Sequence, residues 1–209
     1  MISKLSLLIL FLFISCSRDP YDQLMKTALF KKTKDPNPHP VFAGDVEPDY
    51  PKEEENNKTL LGIDKNNNGI RDDVDIWINR TGKNYNEIMA LRQKARGLQS
   101  YFKAINDNRP DLAESTFNKI VRGGYCIEVI FANNDNNELV ERMNFNLDHI
   151  GIYPRDLRMK AMSKFFEYIT SLGGNYDVEG GDESHYKFCT FEVQNKELVI
   201  KNYLKKFEK

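Results

Sequence analysis

The sequence predicts a mainly α protein: a small helical domain over residues 59–209, reached through a proline-rich tether, with room for a short C-terminal β element. Three observations lead there. Apolar residues recur three and four positions apart in successive stretches from Val74 onward, the spacing of one helix face. Cap residues and prolines stand where those stretches begin, and glycines where one of them ends. Aromatic and β-branched residues crowd into one short run, Tyr186 to Val193.

The chain opens MISKLSLLILFLFISC. Lys4 precedes an unbroken apolar run from Leu7 to Ile14, well short of the roughly 20 residues a helix needs to span a bilayer. A positive start and a short apolar core ending in a small residue form a signal peptide. The tetrad Phe13-Ile14-Ser15-Cys16 resembles the bacterial lipobox, in which a small residue precedes the cysteine that takes diacylglycerol, although Phe13 stands where Leu is usual. Residues 1–15 are expected to be removed and Cys16 to carry the lipid; the alternative is an ordinary signal peptide with Cys16 incidental. Export to the bacterial envelope follows, with the membrane held through Cys16. Ser17, not Asp, after the cysteine favours the outer membrane over the inner. No second apolar run approaches spanning length. Losing Lys4 takes the formal charge from −1 to −2, too balanced for a nucleic-acid partner, which calls for a basic face. About 190 remaining residues suit one domain and a tether.

Cysteine usage agrees with export. With Cys16 taken by lipid, Cys126 and Cys189 remain, and two thiols in an exported chain are expected to pair. Closing a loop of about 63 residues removes unfolded-state entropy worth roughly 4 kcal/mol. Two unpaired core cysteines are the alternative.

A short helix is expected from Tyr21 to Phe30, with Leu24, Ala28 and Leu29 on one side. Residues 16–58 then read as the tether. Five of the eight prolines (Pro36, Pro38, Pro40, Pro48, Pro51) lie between Asp35 and Lys58, followed by Glu53-Glu54-Glu55. Proline removes donors and acidic runs repel, so this segment is expected to be extended linker. Val74, Trp77, Ile78 and Thr81 share one face of a short helix. Asn84 to Glu87 forms a capping box that opens a helix carrying Leu91, Ala95, Leu98, Phe102 and Ile105. Pro110 suits the first turn of the next, with Leu112, Phe117, Ile120 and Val121. Gly123-Gly124 marks either a break or a close helix–helix contact. After a polar turn at 133–137, a helix is expected over Glu138 to Leu147. Another runs from Pro154 to a Gly173-Gly174 cap. An acidic Gly-rich loop from Tyr176 to Ser184 follows, then a strand from Tyr186 to Val193. The tail 196–209 fits a strand or a Lys-rich helix equally.

One motif carries chemistry. Residues 64–75 read DKNNNGIRDDVD. Counting Asp64 as position 1, oxygen side chains fall at 1, 3 and 5 (Asp64, Asn66, Asn68). Gly69 sits at 6, Ile70 offers a backbone carbonyl at 7, and carboxylates stand at 9 and 12 (Asp72, Asp75). That is the ligand frame of an EF-hand-type calcium loop. A hard cation wants six to eight oxygens, and alternate residues of a tight loop turn theirs toward one centre. Asp75 is shorter than the usual bidentate Glu, and Arg71 replaces the apolar residue at position 8. Both departures make the loop resemble the calcium repeats of thrombospondin type 3 and related bacterial surface proteins. No second loop partners it, so Ca2+ here is expected to be structural and weakly held. More widely, residues 58–192 resemble a family of uncharacterised exported bacterial lipoproteins, a likeness resting on Leu60-Leu61-Gly62-Ile63, the loop, the helix after it, Cys126 and Cys189. It implies no activity.

Other sites do not assemble in sequence. His39, His149 and His185 make no metal-ligand spacing, and His185 with Asp182 and Glu183 reads as a solvated loop. Asp177, Glu179, Asp182 and Glu183 form an acidic cluster. No catalytic residue stands out, and no nucleophile elbow is present. The leading expectation is a non-enzymatic envelope module with a protein or polymer partner. The alternatives are an envelope-polymer hydrolase with fold-assembled carboxylates, and a secreted adhesive or ligand-binding protein. Mass spectrometry of the mature chain is expected to find acylated Cys16 at its N-terminus; any other mature N-terminus removes the lipid anchor.

Overall fold

Helix periodicity and capping set the architecture. The computed structural model describes residues 20–132, 137–152, 155–171, 182–205 and 207–208. The leader and Cys16 lie outside them, as do residues 133–136 of the polar turn, Pro154, the Gly173-Gly174 cap and the acidic loop as far as Gly181. In chain order the elements are helix α1 (Pro20–Thr33), strands β1 (Val41–Phe42) and β2 (Asp45–Val46), and helices α2 (Glu53–Asn56), α3 (Asp72–Thr81) and α4 (Tyr85–Asn106). A single 3-10 turn, Pro110–Leu112, leads into α5 (Ala113–Phe131). Helices α6 (Asn137–Ile152) and α7 (Arg155–Ser171), a 3-10 segment Asp182–Phe188 and helix α8 (Lys196–Leu204) complete the chain. The protein is mainly α, as its periodicity predicts.

The longest helix begins at the expected cap. Asn84 Oδ1 accepts from the Glu87 backbone N–H at 3.1 Å, and Glu87 reaches back to accept from the Lys83 N–H at 2.9 Å. Leu91, Ala95, Leu98 and Phe102 of α4 are buried, as the spacing requires. Helix α5 runs antiparallel to α4 and unbroken through Gly123-Gly124, and Gly123 of the pair makes a close helix contact. A Cβ at Gly123 would stand 2.6 Å from the Lys94 Cα, and one at Gly97 2.9 Å from the Ile120 backbone N. Only glycine lets the two backbones come so close. The core joins the faces of α3 to α6 through Val74, Trp77, Leu91, Ile127, Ile130, Leu147 and Ile150, closed by Met25 of α1 and Tyr203 of α8.

Three expectations need correcting. Residues 35–58 are packed, not free linker. β1 and β2 pair antiparallel, Val41 with Val46 and Phe42 with Asp45, about a two-residue turn in which Ala43 and Gly44 both take positive φ. Such a turn matches the natural twist of a hairpin. Glu47 is fully buried, with Lys32 Nζ 2.8 Å away and Arg80 on both its oxygens. Arg80 also holds Asp35 at 2.8 Å. Proline and acid content describe local stiffness and cannot show that α3 carries a cation for these acids. Pro36 to His39, Asp49 and Glu53 to Glu55 stay exposed, while Pro48 and Asn56 are buried.

The second correction concerns Tyr186–Val193, which is no strand. The chain coils as the 3-10 segment through Phe188, and residues 189–193 are irregular. Its aromatic side chains stack on α5: Tyr125 lies 3.8 Å from the His185 ring and 5.5 Å from that of Phe188. Cys189 is bonded to Cys126 with Cα atoms 5.0 Å apart. Side chains, not a ladder, hold the segment. The tail after it is helical, burying Val199 and Tyr203.

Third, His185 is not solvated. It is buried, its Nδ1 3.2 Å from Glu128 Oε2 and 3.1 Å from the Tyr203 hydroxyl.

The glycine contacts set a paired expectation. Gly123→Ala drives a methyl into the α4 backbone and should cost about 1–3 kcal/mol. At Gly124 the nearest atom to a new Cβ is Asn144 Oδ1 at 3.5 Å, so Gly124→Ala should gain up to about 1 kcal/mol from helix propensity. Urea melts of the two variants check this; equal effects would place the helix contact elsewhere.

Candidate metal centre

The 64–75 loop is wound from its own side chains. Asp64 accepts from the Asn68 N–H at 3.2 Å through Oδ1 and from the Gly69 N–H at 3.0 Å through Oδ2. Asn66 Oδ1 accepts from the Asn68 N–H at 3.3 Å, and Asn68 Oδ1 from the Ile70 N–H at 2.9 Å. Asn67 and Gly69 take the left-handed conformation at φ 54 and 81, which makes the tight reversal. The loop closes where the Asp72 N–H donates to the Ile63 carbonyl at 2.8 Å and the Lys65 N–H donates to Asp72 Oδ1 at 3.0 Å.

Of the expected ligands, Asn66, Asn68 and Asp75 are bonded to one another through their side chains. Asp75, in the first turn of α3, accepts from the Asn68 side-chain amide at 2.9 Å and from that of Asn66 at 3.4 Å, both on Oδ2. Its other oxygen faces Arg92 Nε at 3.1 Å. Asp64 lies close enough to Asp72 for its charge to be felt there. Ile70 anchors the loop by its side chain, which is 1% exposed. Asp72 differs from the rest: it is fully buried and its Oδ2 has no hydrogen-bond partner. An oxygen of a buried carboxylate without a donor is costly.

Electrostatics follow from burial. The Asp72 carboxyl is pushed up to about 6, chiefly by burial and further by the Asp64 charge, against the Lys65 N–H that lowers it. Burial also raises the Asp75 carboxyl, while Arg92 and the two asparagine amides pull it back. Among the described residues no cluster of three or more His, Cys, Asp or Glu side chains forms a metal-holding group. The frame depends on amide and carbonyl oxygens besides its three carboxylates.

Residues outside the six ligand positions brace the loop. Arg71 pairs in two-pronged fashion with Asp73, Nη2 to Oδ2 at 2.9 Å, and donates to the Ile150 carbonyl at 2.9 Å. Ile150 lies in the last turn of α6, whose exposed carbonyls favour a cation. Asp73 is thereby committed to Arg71 and to the N–H of Val74. Arg158 of α7 donates to the Leu60 carbonyl at 2.9 Å, Gln99 to Leu61 at 2.8 Å and Arg96 to Asn68 at 2.9 Å. The sequence pattern did not reveal these supports. Arg92 alone left a trace, since it follows Ile88 by four residues on an inward face of α4 and so needs a buried anion.

No family model, curated protein or solved structure matches the chain.

The raised Asp72 carboxyl sets a pH dependence in chelator. Between about pH 4 and pH 6 the folded state holds a proton on Asp72 that the unfolded chain has released, so this group's contribution to stability falls as pH rises through that window. The full shift is worth up to about 3 kcal/mol. Asp72→Asn keeps an acceptor for Lys65 and removes the charge. The variant should melt above wild type at pH 7.5, the gap closing by pH 4.5. A gap independent of pH would contradict the assignment.

Proposed function

We propose that this protein is a lipid-anchored bacterial envelope lipoprotein whose helical domain is stabilised by one calcium ion at the 64–75 loop. The domain serves as a structural or interaction module, not an enzyme. Asp64, Asn66, Asn68, the Ile70 carbonyl, Asp72 and Asp75 would hold the ion. The observation that carries the calcium reading is the buried Asp72 Oδ2 without a partner, beside Asp64. The loop carries three carboxylates, of which Asp64 and Asp72 are near neighbours, and among the three Arg92 is bonded only to Asp75. A divalent cation supplies the missing positive charge, and its oxygen preference matches a donor set without nitrogen or sulfur. Asp75 has one oxygen on Arg92 and the other on the Asn66 and Asn68 amides, so a cation would displace those amides from Oδ2.

Three carboxylates on a lone loop place affinity at roughly 10⁻⁴–10⁻³ M, the range of extracellular modules. Magnesium, which demands near-ideal octahedral geometry, should compete poorly. Calcium at 100 times its dissociation constant should add about 2.7 kcal/mol of stability. Thermal melts in calcium and in chelator measure this gain directly. Asp64→Ala should abolish the gain. Asp73→Ala should lower stability in both conditions, because it strands Arg71, yet leave the gain intact. Identical wild-type melts with and without calcium, or loss of the gain in both variants alike, would overturn the reading.

A further inference from the structure

A second site lies on the other side of the loop. Helices α4 and α5 touch backbone to backbone at Gly97, and beside that contact they part into a cleft of about 630 Å³. Pockets of roughly 300–1,000 Å³ take small molecules. Four cations line it: Arg96 and Lys103 from α4, Lys119 and Arg122 from α5. No aspartate or glutamate is among its lining residues. In a chain of formal charge −1 this is a local excess of one sign inside a concave wall, which concentrates its field on anions.

The cations are not consumed by neighbouring acids. Lys119 and Arg122 have no carboxylate partner among the described residues; Arg122 lies over the Phe188 ring at 5.5 Å. Lys103 pairs with Asp107 at 2.8 Å on an exposed rim. Arg96 spends its Nε on the Asn68 carbonyl and has Asp45 as an ion-pair partner at 3.9 Å, which leaves its terminal nitrogens toward the cleft loosely paired. The antiparallel register places Gly97 opposite Ile120, so Arg96, Lys119 and Arg122 gather at one level. Lys103 stands seven residues along α4, about 10 Å away at 1.5 Å per residue. One dense cluster with a second cation two turns off suits a ligand with one anionic group and a second anionic or hydroxyl group apart from it. Arginine's planar fork matches phosphate in particular.

We propose that this cleft binds a phosphate-bearing anion of sugar-phosphate size, with Arg96, Lys119 and Arg122 on the phosphate and Lys103 placed to meet a second anionic or hydroxyl group of the ligand. The source is either a free sugar phosphate or the phosphate headgroup of an envelope lipid, the same chemistry in two settings. Arg96 joins the cleft to the Asn68 carbonyl of the loop, but none of the four cations is a calcium ligand, and titration in chelator separates failure here from failure of the calcium reading.

Calorimetric titration of the full chain, at low salt and in chelator, tests it with fructose 1,6-bisphosphate and with phosphatidylglycerol vesicles. Saturable binding to at least one probe is expected, weakening as salt rises. Binding to both, or to the soluble probe alone, marks a free sugar phosphate; binding to vesicles alone marks the headgroup. Lys119→Ala/Arg122→Ala should weaken it about tenfold or more with an unchanged melting temperature, since both side chains are exposed. Lys119→Glu, which has no ion pair to lose, should act in the same direction. Lys160→Ala/Lys164→Ala, an exposed pair on α7, should change it less than about twofold. Absence of saturable binding to either probe, or equal losses in the two double variants, would overturn the proposal.

Discussion

The fold depends on compensating charge at the start of α3. Arg71, Asp72, Asp73 and Asp75 are all at most 1% exposed, so four charged side chains enter the interior within five residues. Each buried ion costs several kcal/mol unless it is paired and hydrogen-bonded. Arg71 and Asp73 neutralise each other, and the surplus donors of Arg71 go to the end of α6. Asp75 draws Arg92 of α4 into the core, and Arg92 in turn bonds Asn79 and the Phe42 carbonyl. At the other end of α3, Arg80 collects Asp35 and Glu47. The hairpin and α1 are thereby fastened to the helical body by ions.

That constraint explains why α3 is buried on every side although only one face is apolar. Val74, Ile76, Trp77 and Ile78 are buried, and the polar side chains between them find protein partners except at Asp72 Oδ2 and Asn79 Nδ2. A helix of this composition is costly in a partly built core. It becomes tolerable once α1, the hairpin and α6 all close over it.

The helices were legible in sequence because their apolar spacing is a local property, and so was the cysteine pair, given export and a count of two. The cap at Asn84 was legible, although Glu87 returns its bond to the Lys83 N–H one residue before the cap. Ion pairs across the fold were not: nothing near Glu47 announces Arg80, thirty-three residues later. For the same reason the proline-rich segment read as linker and His185 as solvated. Tyr186 to Val193 read as a strand because aromatic residues favour sheets, yet here they stack on Tyr125 and brace a disulfide. The 64–75 motif was legible as a tight polar loop, while Arg96, Gln99 and Arg158, which bond the backbone at Asn68, Leu61 and Leu60, carry no sequence signature.

What remains after this pairing is Asp72, beside Asp64, with one oxygen unsatisfied. On the far side of the same loop, Arg96 joins the Asn68 carbonyl to the cationic cleft, so the loop separates a centre of negative charge from one of positive charge. The central claim is that the negative centre holds a calcium ion, and Trp77, the only tryptophan in the chain, stands two residues after Asp75 to report on it. Terbium, a calcium mimic, should emit when Trp77 is excited, saturate at one ion per chain, be displaced by calcium, and fall silent in Asp64→Ala. Absence of sensitised emission, or emission that survives Asp64→Ala, would contradict the account.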